Sequence, residues 1–394
     1  MRTHFNSIYH IFREELKTIS RDSGVWIFFI LLNIGYPIIY TYIYSNEVVR
    51  EVPVAVVDND YSSTSRDFIR KWDASPNVEV VAKCANMQDA QRLLYEKKIY
   101  GIMEIPEQFG HEIARNEQAH VSLFTDMGGL LNYKAILLSA SDVSQLMGKE
   151  IQVYGLEYAS PKEQELTSTP VRMEEVKIFN PQSGYASFII PAILILVIQQ
   201  SLLLGVGTLT GTARDRNKYG RLIPADHFHK NPVHIVIGKA LAYISIYAFM
   251  LIWVYIVVPG IFNLTRIGPK LDLFLFLIPF LLSSVFMAIC FSFFCKEREM
   301  PFIIFVFTSV PLMFLSGISW PIEAIPSYWV TFSKIFPSTF GIEGYTKISN
   351  MGAGLEEVRP IFYSLWVLTG IYFALACLLY YREIRKAKVL SKRN

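Results

Sequence analysis

Charge is the first thing this sequence is short of. Asp, Glu, Lys and Arg make up 18% of its 394 residues, against roughly 25% in an average soluble domain. The deficit comes in blocks. Residues 23–46, 178–213, 240–265, 273–295, 300–322 and 360–381 contain none of the four. A helix that crosses a bilayer needs about 20 consecutive, mostly apolar residues, so a single soluble domain is excluded. Cysteine is scarce as well. Cys290, Cys295 and Cys377 fall in the charge-free blocks and Cys84 stands alone outside them, which leaves no disulfide framework.

A phosphate-cradling loop is also missing. Gly148-Lys149 runs into Glu150, and Gly238-Lys239 into Ala240, without the upstream glycine of Gly-x4-Gly-Lys-Ser/Thr. The chain is therefore not expected to hydrolyse ATP itself. No charged group is expected to be buried within a span, where proton- and ion-coupled carriers place them. His227, His229 and His234 match no standard zinc spacing, and no Ser/His/Asp or Cys/His set marks a nucleophile. Neither a catalytic set, a cofactor nor a metal is expected in this chain. Internal repeats and low-complexity tracts are lacking too. The first block is too long for the apolar region of a cleavable signal, and 22 residues precede it, so it reads as a retained anchor.

What is present is apolar and aromatic. Hydrophobic residues make up 52%, with 28 Phe, 22 Tyr and 6 Trp, which excludes disorder. The six blocks predict a polytopic α-helical membrane protein with six transmembrane helices, about 23–46, 186–211, 236–258, 273–295, 301–319 and 361–381. Lys and Arg favour 1–22, 212–239, 296–299 and 382–394 over the loops that alternate with them. The positive-inside rule then puts both termini and loop 212–234 in the cytoplasm, and the segment 47–180 outside. Residues 45–185 hold 14 basic and 21 acidic residues, a balance that speaks against nucleic-acid binding.

Residues 1–22 place Phe5, Ile8, Tyr9, Phe12, Leu16 and Ile19 on one helical face and Arg13, Glu14, Lys17 and Arg21 on the other. This predicts an amphipathic helix in the inner membrane interface; packing on a protein surface is the alternative. Within 47–180, strands are expected at 52–58, 78–83, 99–105 and 120–125, and helices at 63–72, 87–97 and 106–115. The alternation implies an α/β domain, a small sheet with helices. Asp58, Asp60 and Ser62 read as a helix cap rather than a calcium loop. A long helix over about 130–157 and a polar return linker follow. In 181–394, segment 320–360 carries Trp320, Trp329, Phe332, Phe336 and Phe340 broken by Pro321, Pro326 and Pro337. Two short helices dipping into the outer leaflet fit that pattern.

Polar residues inside the spans have two readings. Gln199, Gln200 and Ser201 serve either helix packing or a translocation path, and Phe305, Thr308 and Ser309 form a mixed face that suits cargo or a second copy. Loop 212–234 is basic and compact, the natural place for work to enter from another subunit.

Three stretches carry a family resemblance. They are VPVAVVDNDYSSTSR at 52–66, GTARDRNKYGRLIPADHFHKNPVHIVIGKALAY at 211–243 and PLMFLSGISWPIEAIPSYWVTFSKIFPSTFGIEGYTKI at 311–348. Together they resemble the bacterial ABC-2 type transporter permeases, in the subgroup with a large exterior domain between spans one and two. Asn217 and Lys218 stand where that family often has an acidic residue. The resemblance implies a permease subunit of an exporter in the bacterial cytoplasmic (inner) membrane. It would pair with a second copy or a paralogous permease over ABC ATPase subunits, which bind ATP and Mg. The inner loop would carry the coupling contact, with Arg214, Asp215, Arg216, Lys218, Tyr219, Arg221 and Leu222. A periplasmic adaptor and an outer-membrane channel are further partners that the resemblance allows. Charge-free aromatic spans favour lipophilic or amphipathic cargo, such as a drug or lipid. The competing reading is a membrane receptor or scaffold whose exterior domain senses a ligand.

Overall fold

The computed structural model describes residues 2–44, 48–115, 117–154, 178–180, 184–215, 231–264 and 266–391. The chain divides into two compact units, 48–176 and the remainder.

The first unit is a four-stranded sheet with helices. Strands β1 (Val52–Asp58), β2 (Val78–Cys84), β3 (Gly101–Ile105) and β4 (Ser122–Thr125) lie in the order β2-β1-β3-β4. β1 pairs parallel with β2 and β3, and β4 closes the edge antiparallel to β3. Parallel neighbours need crossovers, and helices supply them. β1 is the central strand and both of its faces are covered. Val52, Val54 and Val56 pack with Phe68, Trp72 and Ile136, while Ala55 and Val57 pack with Ala90, Ile99 and Ile102. That is why the strand reads as an unbroken apolar, Val-rich run over 52–57 rather than as an alternation. Ser62 caps the following helix by accepting from Ser65 N at 3.0 Å. Asp58 accepts from the backbone of Asp60 and Tyr61 and from the Ser65 hydroxyl. The long helix Leu130–Tyr154 lays Ile136, Ala140, Val143 and Met147 against this core, and Trp72 Nε1 donates to its Ser139 hydroxyl at 3.0 Å.

The second unit is helical. α1 covers Arg2–Arg21. Among the described residues, five further helices are long and apolar enough to cross a membrane: α2 (Ser23–Ile43), α7 (Tyr185–Asp215), α8 (Pro232–Ile261), α9 (Lys270–Ser292) and α13, whose apolar stretch falls in Arg359–Lys386. We number the sheet unit's helices α3 to α6: Ser63–Asp73, Met87–Tyr95, Phe109–Ala114 and Leu130–Tyr154. The fifth apolar block, 300–322, differs from the expected span. It forms α10, Met300–Leu315, only 16 residues long, or about 24 Å at 1.5 Å per residue. Gly317 ends this stretch with φ +83°, a conformation other residues resist, and Pro321 follows. Beyond it come two short helices, α11 (Ser327–Ser333) and α12 (Pro337–Tyr345).

α9 is the centre of the bundle, packed by α7, α12 and α13. Small residues set these approaches. A Cβ on Gly344 would lie 2.1 Å from the Phe276 ring, and one on Gly341 2.7 Å from Phe280. α2 and α8 each contain a wide π-turn, at Ile27–Leu31 and Trp253–Val257. The expected linker 159–177 lies outside the described residues.

Candidate functional site: a charged junction at the base of the bundle

One row of α1 is closed off from solvent, while Tyr9 of the expected apolar face stays exposed. Ser7, Ile11, Glu15 and Ile19 recur every four residues, which puts them in one row on a helix, and all four are buried. The row packs against α8. Gly238 makes room for it, since a Cβ there would stand 2.8 Å from Ile11. The next residue, Lys239, reaches Glu15 at 3.0 Å, with side chains 9% and 8% exposed. The Tyr243 hydroxyl donates to the same carboxylate, and buried Tyr380 of α13 lies beside Lys239. This corrects the expectation that no charged group is buried within a span: Lys239 belongs to α8 and is paired from outside it. Glu15 carries a signal of its own in the sequence, since it sits four residues after Ile11 and four before Ile19, on the buried row.

The turn from α1 into α2 is the second element. Asp22 caps α2, its Oδ1 accepting from Gly24 N and Val25 N at 3.1 and 3.4 Å. The Arg298 guanidinium grips the same carboxylate with two nitrogens, at 2.9 and 3.1 Å. It also donates to the Thr212 hydroxyl at 3.1 Å. Burial pushes the Asp22 carboxyl up, but the Arg298 pair and the two backbone donors outweigh it and hold the group below the usual carboxylate range. A fork-shaped donor matched to a carboxylate gives both energy and direction.

The third element is the end of α7. Arg214 Nη1 donates to the carbonyls of Phe293 and Cys295 at 2.6 and 3.2 Å. Its guanidinium also lies over the Phe293 ring, 5.6 Å from the centroid. The chain leaves the helix after Ser292, and Arg214 satisfies two carbonyls of the turn that follows. Gly211 lets the chains close, as a Cβ there would lie 2.2 Å from Glu297 O. The turn 293–298 thus binds α7, α9 and the α1–α2 corner into one junction.

Of the residues expected at the coupling contact, Arg214 is part-buried in this junction and Asp215 is exposed beside it. Arg216, Lys218, Tyr219, Arg221 and Leu222 lie outside the described residues, as do His227 and His229. Of the residues offered for a path, Gln199, Gln200 and Ser201 are buried in α7 and bond to residues on four different helices. Gln199 accepts from Ser338 N at 2.7 Å, and Gln200 pairs with Thr308 at 3.1 Å. Ser201 accepts from Tyr247 at 2.8 Å and from Asn33 at 3.0 Å. These bonds hold α2, α7, α8, α10 and α12 together. Phe305 and Ser309 are half-buried on α10. Among the described residues, no three His, Cys, Asp or Glu side chains gather as a metal set would.

Comparison with known proteins adds an independent line. A family model described as "ABC-2 family transporter protein" matches residues 23–378. The "Probable multidrug ABC transporter permease YbhR" of Escherichia coli (strain K12) is 22% identical over 385 residues, spanning 96% of this chain and 100% of the relative. The "Inner membrane transport permease YhhJ" of the same strain is 21% identical over 400 residues, spanning 97% of this chain and 98% of the relative.

Proposed function

The chain belongs to the ABC-2 family of transporter proteins, and from that premise we propose that it is the membrane-spanning subunit of an ATP-driven exporter. A separate ABC ATPase binds ATP and Mg, docks on the segment 216–230 and works this chain from the cytoplasmic side. Two permease chains, identical or paralogous, complete the transporter. In this reading α10 is a sixth crossing, both termini are cytoplasmic and the sheet unit is exterior. The cargo is lipophilic or amphipathic, a drug or a lipid, in keeping with the charge-free spans and with what the YbhR name says of that relative. An adaptor and an outer-membrane channel remain further partners of the proposal.

The observation that carries it is the junction. The segment 216–230 begins where α7 ends, and α7 ends in Arg214 and Thr212. Arg214 fixes α9, and Thr212 shares Arg298 with Asp22 at the α1–α2 corner. Glu15 then joins α1 to α8. A push on the segment after Asp215 is passed through charge-assisted bonds to four helices at once. Coupling needs such a contiguous, stiff connection between the site of work and the moving elements.

Capture of the chain from native membranes in mild detergent tests the reading. A stoichiometric P-loop ATPase is expected to come with it, and Arg216→Glu or Tyr219→Ala is expected to leave membrane insertion intact while abolishing export. Recovery of the chain alone even after crosslinking, or ATP hydrolysis by the isolated chain, overturns it.

A further inference from the structure

Between α8 and α9, at the end where a short loop joins them, lies a cavity of about 270 Å³. Ala248 and Ile252 of α8 and Phe274 and Ile278 of α9 line its length, and all four remain exposed on the outside of the bundle. Sites for drug-sized ligands run to about 300–1,000 Å³, so this slot suits a narrower, apolar occupant.

The loop end is chemically different. Arg266 and Lys270 line it together with Tyr255 and Ser349. Among the described residues neither cation is ion-paired, and Asp272, in the first turn of α9, is turned to Leu355 N at 2.9 Å. Arg266 is held in place. Its Nη1 donates to Tyr255 O in the π-turn at 2.9 Å, and the loop behind it is pinned by Ile267 N and Gly268 N, which donate to Ser349 O at 2.8 and 3.3 Å. Only glycine fits at 268, since a Cβ would meet Ile348 O at 1.8 Å. Tyr255 is 1% exposed, and among the described residues its hydroxyl has no hydrogen-bond partner. A buried, unpartnered hydroxyl costs free energy unless something satisfies it.

We propose that this groove binds an anionic phospholipid, with one acyl chain between α8 and α9 and the phosphate at Arg266 and Lys270. A neutral hydrocarbon would fill the slot but leave two cations and a buried hydroxyl unanswered. A phosphodiester supplies one negative charge and several acceptor oxygens for the two cations that line the loop end. Basic groups at the ends of spans attract anionic headgroups for the same reason. The proposal requires only that α8 and α9 lie in a membrane. It does not depend on the ATPase partner, the direction of transport or the cargo.

The test uses the full chain in mild detergent, with native mass spectrometry of lipid retention. Phosphatidylglycerol and phosphatidylcholine with identical acyl chains are offered in turn. Wild type is expected to retain phosphatidylglycerol preferentially. Lys270→Gln is expected to lower that retention about fivefold, the worth of one basic group near an anionic lipid, and to leave phosphatidylcholine unchanged. Ala248→Trp, which fills the slot from an exposed position, is expected to lower both. Because Arg266 also holds a backbone carbonyl, Lys270→Gln is the deciding variant. Equal retention of the two lipids by wild type, unchanged phosphatidylglycerol in Lys270→Gln, or unchanged retention in Ala248→Trp overturns the proposal.

Discussion

Glu15 on the first helix and Lys239 on α8 meet at 3.0 Å, with both side chains closed off from solvent. Removing one partner of a buried pair leaves a charge without compensation, which costs about 3–5 kcal/mol. Replacing both with apolar residues of similar volume is often close to neutral. Glu15→Leu and Lys239→Met are therefore each expected to lower the melting temperature sharply in detergent. The double variant is expected to melt near wild type. A double variant that loses the sum of the two single effects would show that the two residues act independently.

The Asp22–Arg298 pair makes a pH-dependent prediction. Asp22 has a lowered folded-state pKa, so its contribution to stability is present above the ordinary carboxylate value of about 3.9. It is lost as pH falls through the lowered folded value. Asp22→Asn is thus expected to melt below wild type near neutrality, by an amount of order 1–3 kcal/mol for a charge-assisted bond. The difference is expected to close in strong acid. Melts of both proteins across that range provide the check, and a gap that widens on acidification contradicts the assignment.

In the sheet unit, Trp72 is fully buried and donates to Ser139 at 3.0 Å. Trp72→Ala is expected to cost about 3–5 kcal/mol. Ser139→Ala deletes only the acceptor and is expected to cost about 1–3 kcal/mol, the penalty for a buried donor left unmade. Limited proteolysis of the full chain along a thermal ramp reads both, with cleavage inside 48–176 appearing earlier in the order Trp72→Ala, Ser139→Ala, wild type.

The parts of the fold legible in the sequence are those with a strong local signature. Charge-free blocks mark the long helices, and the Val-rich stretch at 52–58 with Ser62 behind it marks β1 and the cap of α3. The parts that were not legible depend on partners far away in the chain. Glu15 looks like one more polar residue of an amphipathic helix until Gly238 and Lys239 are brought beside it. Asp22 and Arg298 are 276 residues apart, and nothing local to either announces the pair. α10 differs from its expectation in length. Its composition reads as a full span, but the length of a helix is set where it stops, and Gly317 in a positive-φ conformation lies inside the block that hydropathy alone joins together.

Gly205 tests the packing of α7 on α2. A Cβ there would stand 1.9 Å from the Phe29 ring, and that ring is itself wedged edge-on against Tyr243 and Tyr247, with centroids 5.8 and 5.3 Å away. It has no free direction in which to yield. Gly205→Ala is expected to destabilise the protein by about 1–3 kcal/mol, the usual cost of overpacking. Phe29→Leu in the same chain is expected to recover part of that loss. Recovery would be read as a higher melting temperature for the double variant than for Gly205→Ala alone.

Arg214 separates anchoring from charge. Its Nη1 reaches the Phe293 and Cys295 carbonyls while its planar guanidinium lies over the Phe293 ring, and the compact, strongly hydrated ammonium of lysine does not reproduce that combination. If positive charge near the segment 216–230 were all that mattered, Arg214→Lys would behave as wild type. The junction demands the opposite. Arg214→Lys is expected to export as poorly as Arg214→Ala while still capturing the ATPase, because docking remains and the link from α7 to the end of α9 is gone. The two readouts are export from cells and ATPase recovered with the detergent-extracted chain. Full export by Arg214→Lys would remove this bond from the coupling route and leave the Thr212–Arg298–Asp22 connection to carry it.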